Sequence, residues 1–339
     1  MKQPLCRVHC SLLAIVAGLC ITTPAALALP FQQMIVFGDS LSDTGNDFIA
    51  TSGLIPPPVA YGNGRFTDGT DSLPSTSILG VWHEQLSAKL GFPAAGPSLA
   101  GGTDFAFGGA ETGVSSTYFG QTVPGVASQL QFFLNGKTSV PSNALYVFWA
   151  GANNLLDAGS ANAVNAAAPQ AISDLSAEIG TLASVGAKYF LWVDMAPLDQ
   201  TPAGKNSPLV SALQTASVDF NTQFAAAVPA LESKYAGISI TPVDVYGLYL
   251  NILSNPSSYG LSNVTDTAQG NLAADPDKYL FWDGNHPTTV GHGLVADLAA
   301  QDLFDTFGSN VPEPGSLSFL LIGLGTAGAF AIRRRRLVR

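Results

Sequence analysis

The stretch Met34-Ile35-Val36-Phe37-Gly38-Asp39-Ser40-Leu41-Ser42-Asp43-Thr44-Gly45-Asn46 decides how this chain is read. Its first four residues are apolar and partly β-branched, too short a run for a helix, and are expected to form a buried strand. Gly38-Asp39-Ser40 then supplies a turn-forming cluster that lifts a hydroxyl out of the sheet edge. Ligand sites of open α/β sheets lie just beyond the carboxyl ends of their strands, where Ser40 would stand. Two readings of Ser40 are open here. Asp39 or Ser40 caps the next helix, which the stretch alone favours, or Ser40 is a nucleophile.

Outward from this strand, the pattern alternates. Ile78, Leu79, Val81, Trp82, Leu86 and Leu90 predict an amphipathic helix stopped by Gly91. Residues 101–110 read as a short apolar strand ending in glycines, and 126–133 as a helix. Residues 144–150 are a second clear strand, halted at Gly151-Ala152-Asn153-Asn154. Ile172, Leu175, Ile179 and Leu182 recur at helical spacing. Residues 188–194 and 238–245 are further strands, separated by a helix over 213–235 that Pro229 should kink or divide. Residues 275–282 read as loop and 290–307 as a closing helix. Strands alternating with helices, with no repeat or linker between them, predict one α/β domain over residues 29–310, three-layered around a mostly parallel sheet.

Both chain ends read as processing signals. Lys2 and Arg7, the apolar run 11–21 and Ala26-Leu27-Ala28 have the form of a signal peptide over residues 1–28. Cys6, Cys10 and Cys20 all lie within it, so the exported chain is expected to have no disulfide, cysteine nucleophile or thiolate metal site. At the other end, Val311-Pro312-Glu313-Pro314-Gly315 precedes an uncharged run 316–332 and then Arg333 to Arg336. At about 1.5 Å per residue this run is short for a bilayer but close to one, and the arginines would stay cytoplasmic. Gly323-Leu324-Gly325-Thr326-Ala327-Gly328 matches G-x-G-x-x-G but follows no strand, so it fails as a dinucleotide site. The tail over 311–339 resembles a PEP-CTERM sorting signal. That resemblance implies a bacterial surface protein, a membrane-anchored precursor cut by an exosortase-type enzyme, and a location near extracellular polysaccharide.

Between the two ends, seven basic residues face 23 acidic ones, a net charge of −16. Such a balance disfavours nucleic acid and anionic membrane surfaces as partners. It suits neutral substrates.

Three histidines lie outside the leader: His83, His286 and His292. His83 falls mid-helix and His292 on the closing helix, both positions for surface or packing residues. His286 lies instead in Phe281-Trp282-Asp283-Gly284-Asn285-His286-Pro287-Thr288, with Asp283 three residues upstream and able to fix its tautomer. An Asp-x-x-His pair is common by chance; with a serine at the first strand end it has the elements of acyl-transfer chemistry, a nucleophile, a base and an orienting acid. Such chemistry also needs oxyanion donors. Gly108-Gly109 offers a backbone N–H and Asn153 a side-chain amide, although each alone also reads as a simple turn.

These residues, from about Ile35 to Leu298, resemble the SGNH or GDSL family of esterases and lipases. Gly64-Arg65-Phe66-Thr67-Asp68-Gly69, Asp244-Val245-Tyr246 and Asn255-Pro256 with Tyr259-Gly260 are similar to its larger branch of plant esterases and bacterial secreted lipases and acyltransferases. The resemblance implies a flavodoxin-like three-layer fold, Ser40 as nucleophile, His286 as base and Asp283 as acid. It also implies Gly109, Asn153 and the Ser40 N–H as oxyanion donors, an acyl-ester substrate, and no cofactor or metal. Ser42 is the rival nucleophile. Loops 51–77 and 111–121 are expected to line the acyl pocket. Asn154 stands where the family usually has Asp, which should loosen the loop holding Asn153, and Asp104 stands where Asn is common. Two other functions stay open: acyl transfer or deacetylation on extracellular polysaccharide, and a non-catalytic matrix protein on a hydrolase scaffold.

Overall fold

The computed structural model describes residues 29–62, 64–68, 80–118 and 120–308. Its strands are β1 (Gln33–Gly38), β2 (Ser115–Tyr118), β3 (Gln121–Pro124), β4 (Ala144–Trp149), β5 (Tyr189–Val193), β6 (Ser239–Val243), β7 (Asn263–Thr267) and β8 (Tyr279–Phe281). Its α-helices are α1 (Asn46–Ala50), α2 (Trp82–Leu90), α3 (Val126–Leu134), α4 (Ala152–Leu156), α5 (Ala161–Ser184), α6 (Pro202–Lys205), α7 (Val210–Lys234), α8 (Val245–Ser254) and α9 (Thr289–Phe307).

The central sheet runs β1-β4-β5-β6, and all three pairings are parallel. Side chains alternate across it with the period of two that strands impose. Ile35, Phe37, Tyr146, Phe148, Phe190 and Trp192 face one core, filled from α3, α5 and α7. Met34, Val36, Leu145, Val147, Leu191 and Val193 face a second core, filled from α2, α8 and α9. Because both faces are covered, these strands read as continuous apolar runs rather than alternating ones. The architecture is the expected three-layer α/β/α fold.

Parallel pairing also decides where the functional loops go. Gly38 sits opposite Trp149, and Trp192 opposite both Phe148 and Pro242, so the carboxyl ends of all four strands share one edge. A Cβ on Gly38 would come within 2.5 Å of the Trp149 carbonyl, so only glycine lets β1 leave the sheet at this spacing.

Several local expectations change. Residues 103–107 lie along the free side of β1, with Val36 N–H donating to Thr103 O at 3.0 Å and Phe105 N–H to Val36 O at 2.8 Å. They pair with it through a single bridge at Asp104 and form no full strand. Of the kink or division expected at Pro229, division does not occur, since α7 continues through it. Both Pro229 and Ala225, whose carbonyl loses its helical partner, are exposed, so water can satisfy that carbonyl. Residues 275–282 contain β8, which pairs parallel with β7 and buries Leu280 and Phe281. The leader, the hydrophobic tail and residues 69–79 lie outside the described residues. Among the described residues, no helix is long and apolar enough to cross a membrane.

Phe37 is fully buried, with ring centroids of Phe105, Phe133 and Phe148 within 5.1–5.8 Å of its own. Phe37→Ala removes an aromatic at the centre of that core and should lower unfolding free energy by about 3–5 kcal/mol in chemical denaturation.

Candidate active site

Ser40 follows β1 in a tight turn. The Asp39 carbonyl accepts the N–H groups of Ser42 and Asp43, both at 3.0 Å, and the Asp39 carboxylate accepts Leu41 N–H at 3.0 Å. This turn aims the Ser40 hydroxyl at the loop between β8 and α9. There Ser40 Oγ lies 2.7 Å from His286 Nε2, and His286 Nδ1 lies 2.7 Å from Asp283 Oδ2. A carboxylate only accepts, so Nδ1 carries the ring proton and Nε2 is left to accept from Ser40.

The Asp-x-x-His spacing works through the backbone as well. Asp283 Oδ1 accepts the N–H groups of Asn285 and His286, each at 2.8 Å, so the acid folds its own loop around the imidazole. Asp283 Oδ2 also accepts the hydroxyl of Tyr61 at 2.6 Å. Tyr61 packs edge-on against Phe66, whose ring lies 5.3 Å from that of His286. Loop 51–77 was expected at an acyl pocket; the contacts of its Tyr61 and Phe66 with Asp283 and His286 were not expected. Both lie in or beside the Gly64–Gly69 block, and only the tertiary fold brings that block to residue 283.

Electrostatics sharpen this arrangement. Burial opposes the His286 imidazolium, but the charges of Asp283 and Asp39 and the Asp283 hydrogen bond outweigh it and raise His286 above its ordinary value of 6.5. Burial likewise opposes the Asp283 carboxylate, yet His286, Tyr61 and the loop N–H groups hold it well below the usual carboxylate range. Asp39 is pushed up to about 6 by burial, against the Leu41 N–H and the His286 charge.

The other expected residues gather at the same edge. Gly109, at φ 75°, and Asn153, in the first turn of α4, line one cleft with Ser40 and His286. Asn153 Nδ2 donates one hydrogen to Ala110 O at 2.9 Å, which fixes the amide and leaves its second hydrogen available. Ser42, by contrast, is fully buried beneath α2. Its Oγ accepts Trp82 Nε1–H at 3.1 Å and its carbonyl lies 2.7 Å from His83 Nε2, so it packs away from the cleft. His83 and His292 are both fully buried packing residues.

Two carboxylates that the sequence left without a role fasten this edge. Asp43 accepts the N–H groups of Gly45, Asn46 and Asp47 at 2.6–3.1 Å and, across the chain, that of Gly108 at 3.3 Å. Asp104 accepts Thr44 N–H at 2.8 Å and its hydroxyl at 2.6 Å, and also Ala106 N–H at 2.9 Å. Together they tie the Ser40 loop to the segment carrying Gly109.

Residues 34–299 match the family described as GDSL-like lipase/acylhydrolase. The chain belongs to that family. Residues 310–336 match the PEP-CTERM protein-sorting motif. The thermolabile hemolysin of Vibrio parahaemolyticus is 25% identical over 286 residues, 78% of this chain and 62% of that protein. Esterase EstA of Pseudomonas aeruginosa is 27% identical over 312 residues, 81% of this chain and 47% of that protein. The phosphatidylcholine-sterol acyltransferase of Aeromonas hydrophila is 25% identical over 83% of this chain and 92% of its own length. The chain thus spans about half to three-fifths of the first two of these relatives.

Against the GDSL family pattern, the departure at Asn154 does not free the loop carrying Asn153. Asn154 Oδ1 accepts Thr112 N–H and its Nδ2 donates to Thr112 Oγ1, both at 3.1 Å, while the Thr112 hydroxyl donates to Asp174 at 2.8 Å. An amide can both accept and donate here, which the usual carboxylate cannot. The cleft, of about 140 Å³, is walled by residues at the ends of β4 and β5 and on α4 and α8, among them Trp149, Leu156, Met195 and Tyr249. None of its walls comes from 51–77 or 111–121 among the described residues. No group of three or more acidic, histidine or cysteine side chains among the described residues is arranged to hold a metal.

NMR titration of the imidazoles should place the His286 midpoint above 6.5, while His292, pushed down to about 3 by burial and by the charges of His286 and His83, stays neutral at pH 5. In Tyr61→Phe the Asp283 carboxylate loses a competing donor and holds the imidazolium more strongly. The His286 midpoint should then rise further.

Proposed function

We propose that this chain is a serine carboxylic ester hydrolase, an esterase or lipase, exported and sorted to the cell surface. One observation carries the reading: an unbroken line of hydrogen bonds, 2.7 and 2.7 Å long, from Ser40 through His286 to Asp283. In this reading Ser40 Oγ attacks the ester carbonyl as its proton passes to His286 Nε2. His286 then protonates the departing alcohol, and a water molecule activated by the same nitrogen releases the acid. Asp283 keeps the ring in the required tautomer and stabilises the imidazolium. The oxyanion of the tetrahedral intermediate is received by the N–H groups of Gly109 and Ser40 and by the second amide hydrogen of Asn153.

Family membership supports the choice of ester chemistry, and the narrow apolar cleft beside Ser40 supports an acyl group as the bound part. Export and surface sorting rest on the leader-like residues 1–28 and the PEP-CTERM motif. In this reading the run 316–332 anchors the precursor in the membrane until an exosortase-type enzyme removes it.

Ser40→Ala should abolish turnover of p-nitrophenyl esters; full activity in that variant would overturn the proposal. Asn153→Ala should retain the far-ultraviolet circular dichroism of the parent and slow turnover by about 10²–10³. Activity requires neutral His286, so kcat/KM should fall as pH drops through the raised His286 value, giving an acid limb above 6.5. Asp283→Asn removes the charge that raises it; the limb should then move to lower pH while the rate falls by about 10⁴.

A further inference from the structure

The cleft at Ser40 does not end at His286. A second pocket of about 240 Å³ adjoins it, and Leu156, Asp157 and Asn285 line both. Its far wall is the turn through Ala203, Gly204 and Ser207, which is fastened to the His286 loop by Ala203 N–H donating to Gly284 O at 2.9 Å. The two pockets differ in character. Apolar atoms dominate the accessible wall of the first, and polar atoms that of the second. No lysine or arginine lines either among the described residues.

Direction follows from the chemistry. His286 must deliver a proton to the departing oxygen, so the alcohol part of an ester leaves on the side where its imidazole stands. Asn285 precedes His286 and is the wall the two pockets share on that side. We propose that the second pocket is the alcohol subsite and that it takes an uncharged polyol, the shared chemistry of a sugar and of a glycerol unit. This assignment rests on the hydrolase reading above and adds the leaving-group class to it.

The walls fit that occupant. Ser207 Oγ accepts Leu209 N–H at 3.1 Å and still has its own hydrogen to donate. Asp157, whose N–H donates to Asn153 O at 2.9 Å at the end of α4, presents a carboxylate that accepts from hydroxyls. Leu155 and Leu213 at the base offer an apolar floor for the C–H faces of a polyol. The Asp157 charge, with no cation opposite it, disfavours a phosphate or carboxylate leaving group.

The test uses the full chain and three acetates that share one acyl group: ethyl acetate, 1-O-acetylglycerol and 6-O-acetylglucose. The wild type should turn over at least one polyol acetate with kcat/KM about tenfold above ethyl acetate. Whichever polyol shows the advantage identifies the source. Ser207→Trp, which fills the pocket, and Asp157→Ala, a change at an exposed side chain, should each bring that ratio toward one. A ratio near one in the wild type, or a ratio kept in both variants, with ethyl acetate still hydrolysed, overturns the alcohol subsite and leaves the hydrolase reading standing. Absence of turnover on all three overturns the alcohol subsite, and absence of turnover on p-nitrophenyl esters as well overturns the hydrolase reading.

Discussion

Two buried carboxylates hold the working edge of this molecule together. Asp43 and Asp104 are fully buried, an expensive position for a charge or even for an unpartnered acid. Each offsets that cost by collecting backbone N–H groups from two chain segments at once. Burial raises both above their ordinary value, Asp43 to about 6, so the cluster holds protons more tightly than exposed acids would. Asn46 adds to this clamp, its Nδ2 donating to Asp104 O at 2.8 Å and Ala106 O at 2.9 Å, beside the short pairing along β1. With it, Ser40 and Gly109, on different segments, are fastened into one piece, as a preorganised site requires.

The sheet supplies the rest of the geometry. Parallel strands direct every carboxyl end to one edge, so Ser40, Gly109 and Asn153 meet there although β1 and β4 are separated by more than a hundred residues. The His286 loop, between β8 and α9, reaches the same edge. Covering helices on both faces make the strands rigid, and Phe37 and Val36 show the division plainly: neighbours in sequence, they pack in different cores.

Much of this was legible in the sequence because it depends on local signals. Short apolar runs ending in Gly, Ser or Asn announce strand ends, and a parallel sheet makes strand ends the place to look. Asp283 and His286 were legible because three residues separate them. Tyr61 was not, since its hydroxyl meets Asp283 across 222 residues. Nor were the cleft walls at Met195 and Tyr249, because apolar residues near strand ends look like core until the layers are assembled. Division at Pro229, one of the two outcomes expected there, does not occur for a related reason. Whether a proline divides a helix depends on which way the freed carbonyl faces, and that is a property of the folded surface. Ser42, two residues from Ser40, could be set aside only once Trp82 and His83 were seen to enclose it.

The bond between Ser40 and His286 closes a loop of 246 residues. Chain synthesis and early folding proceed from the amino end, and contacts this distant in sequence form late because loop closure must come first. Ser40 therefore exists for most of the chain's assembly as an ordinary serine hydroxyl. Its contact with His286 requires the loop between β8 and α9 to lie at the sheet edge. The Ser40–His286–Asp283 line is thus a property of the complete fold, since its two ends come from opposite ends of the domain.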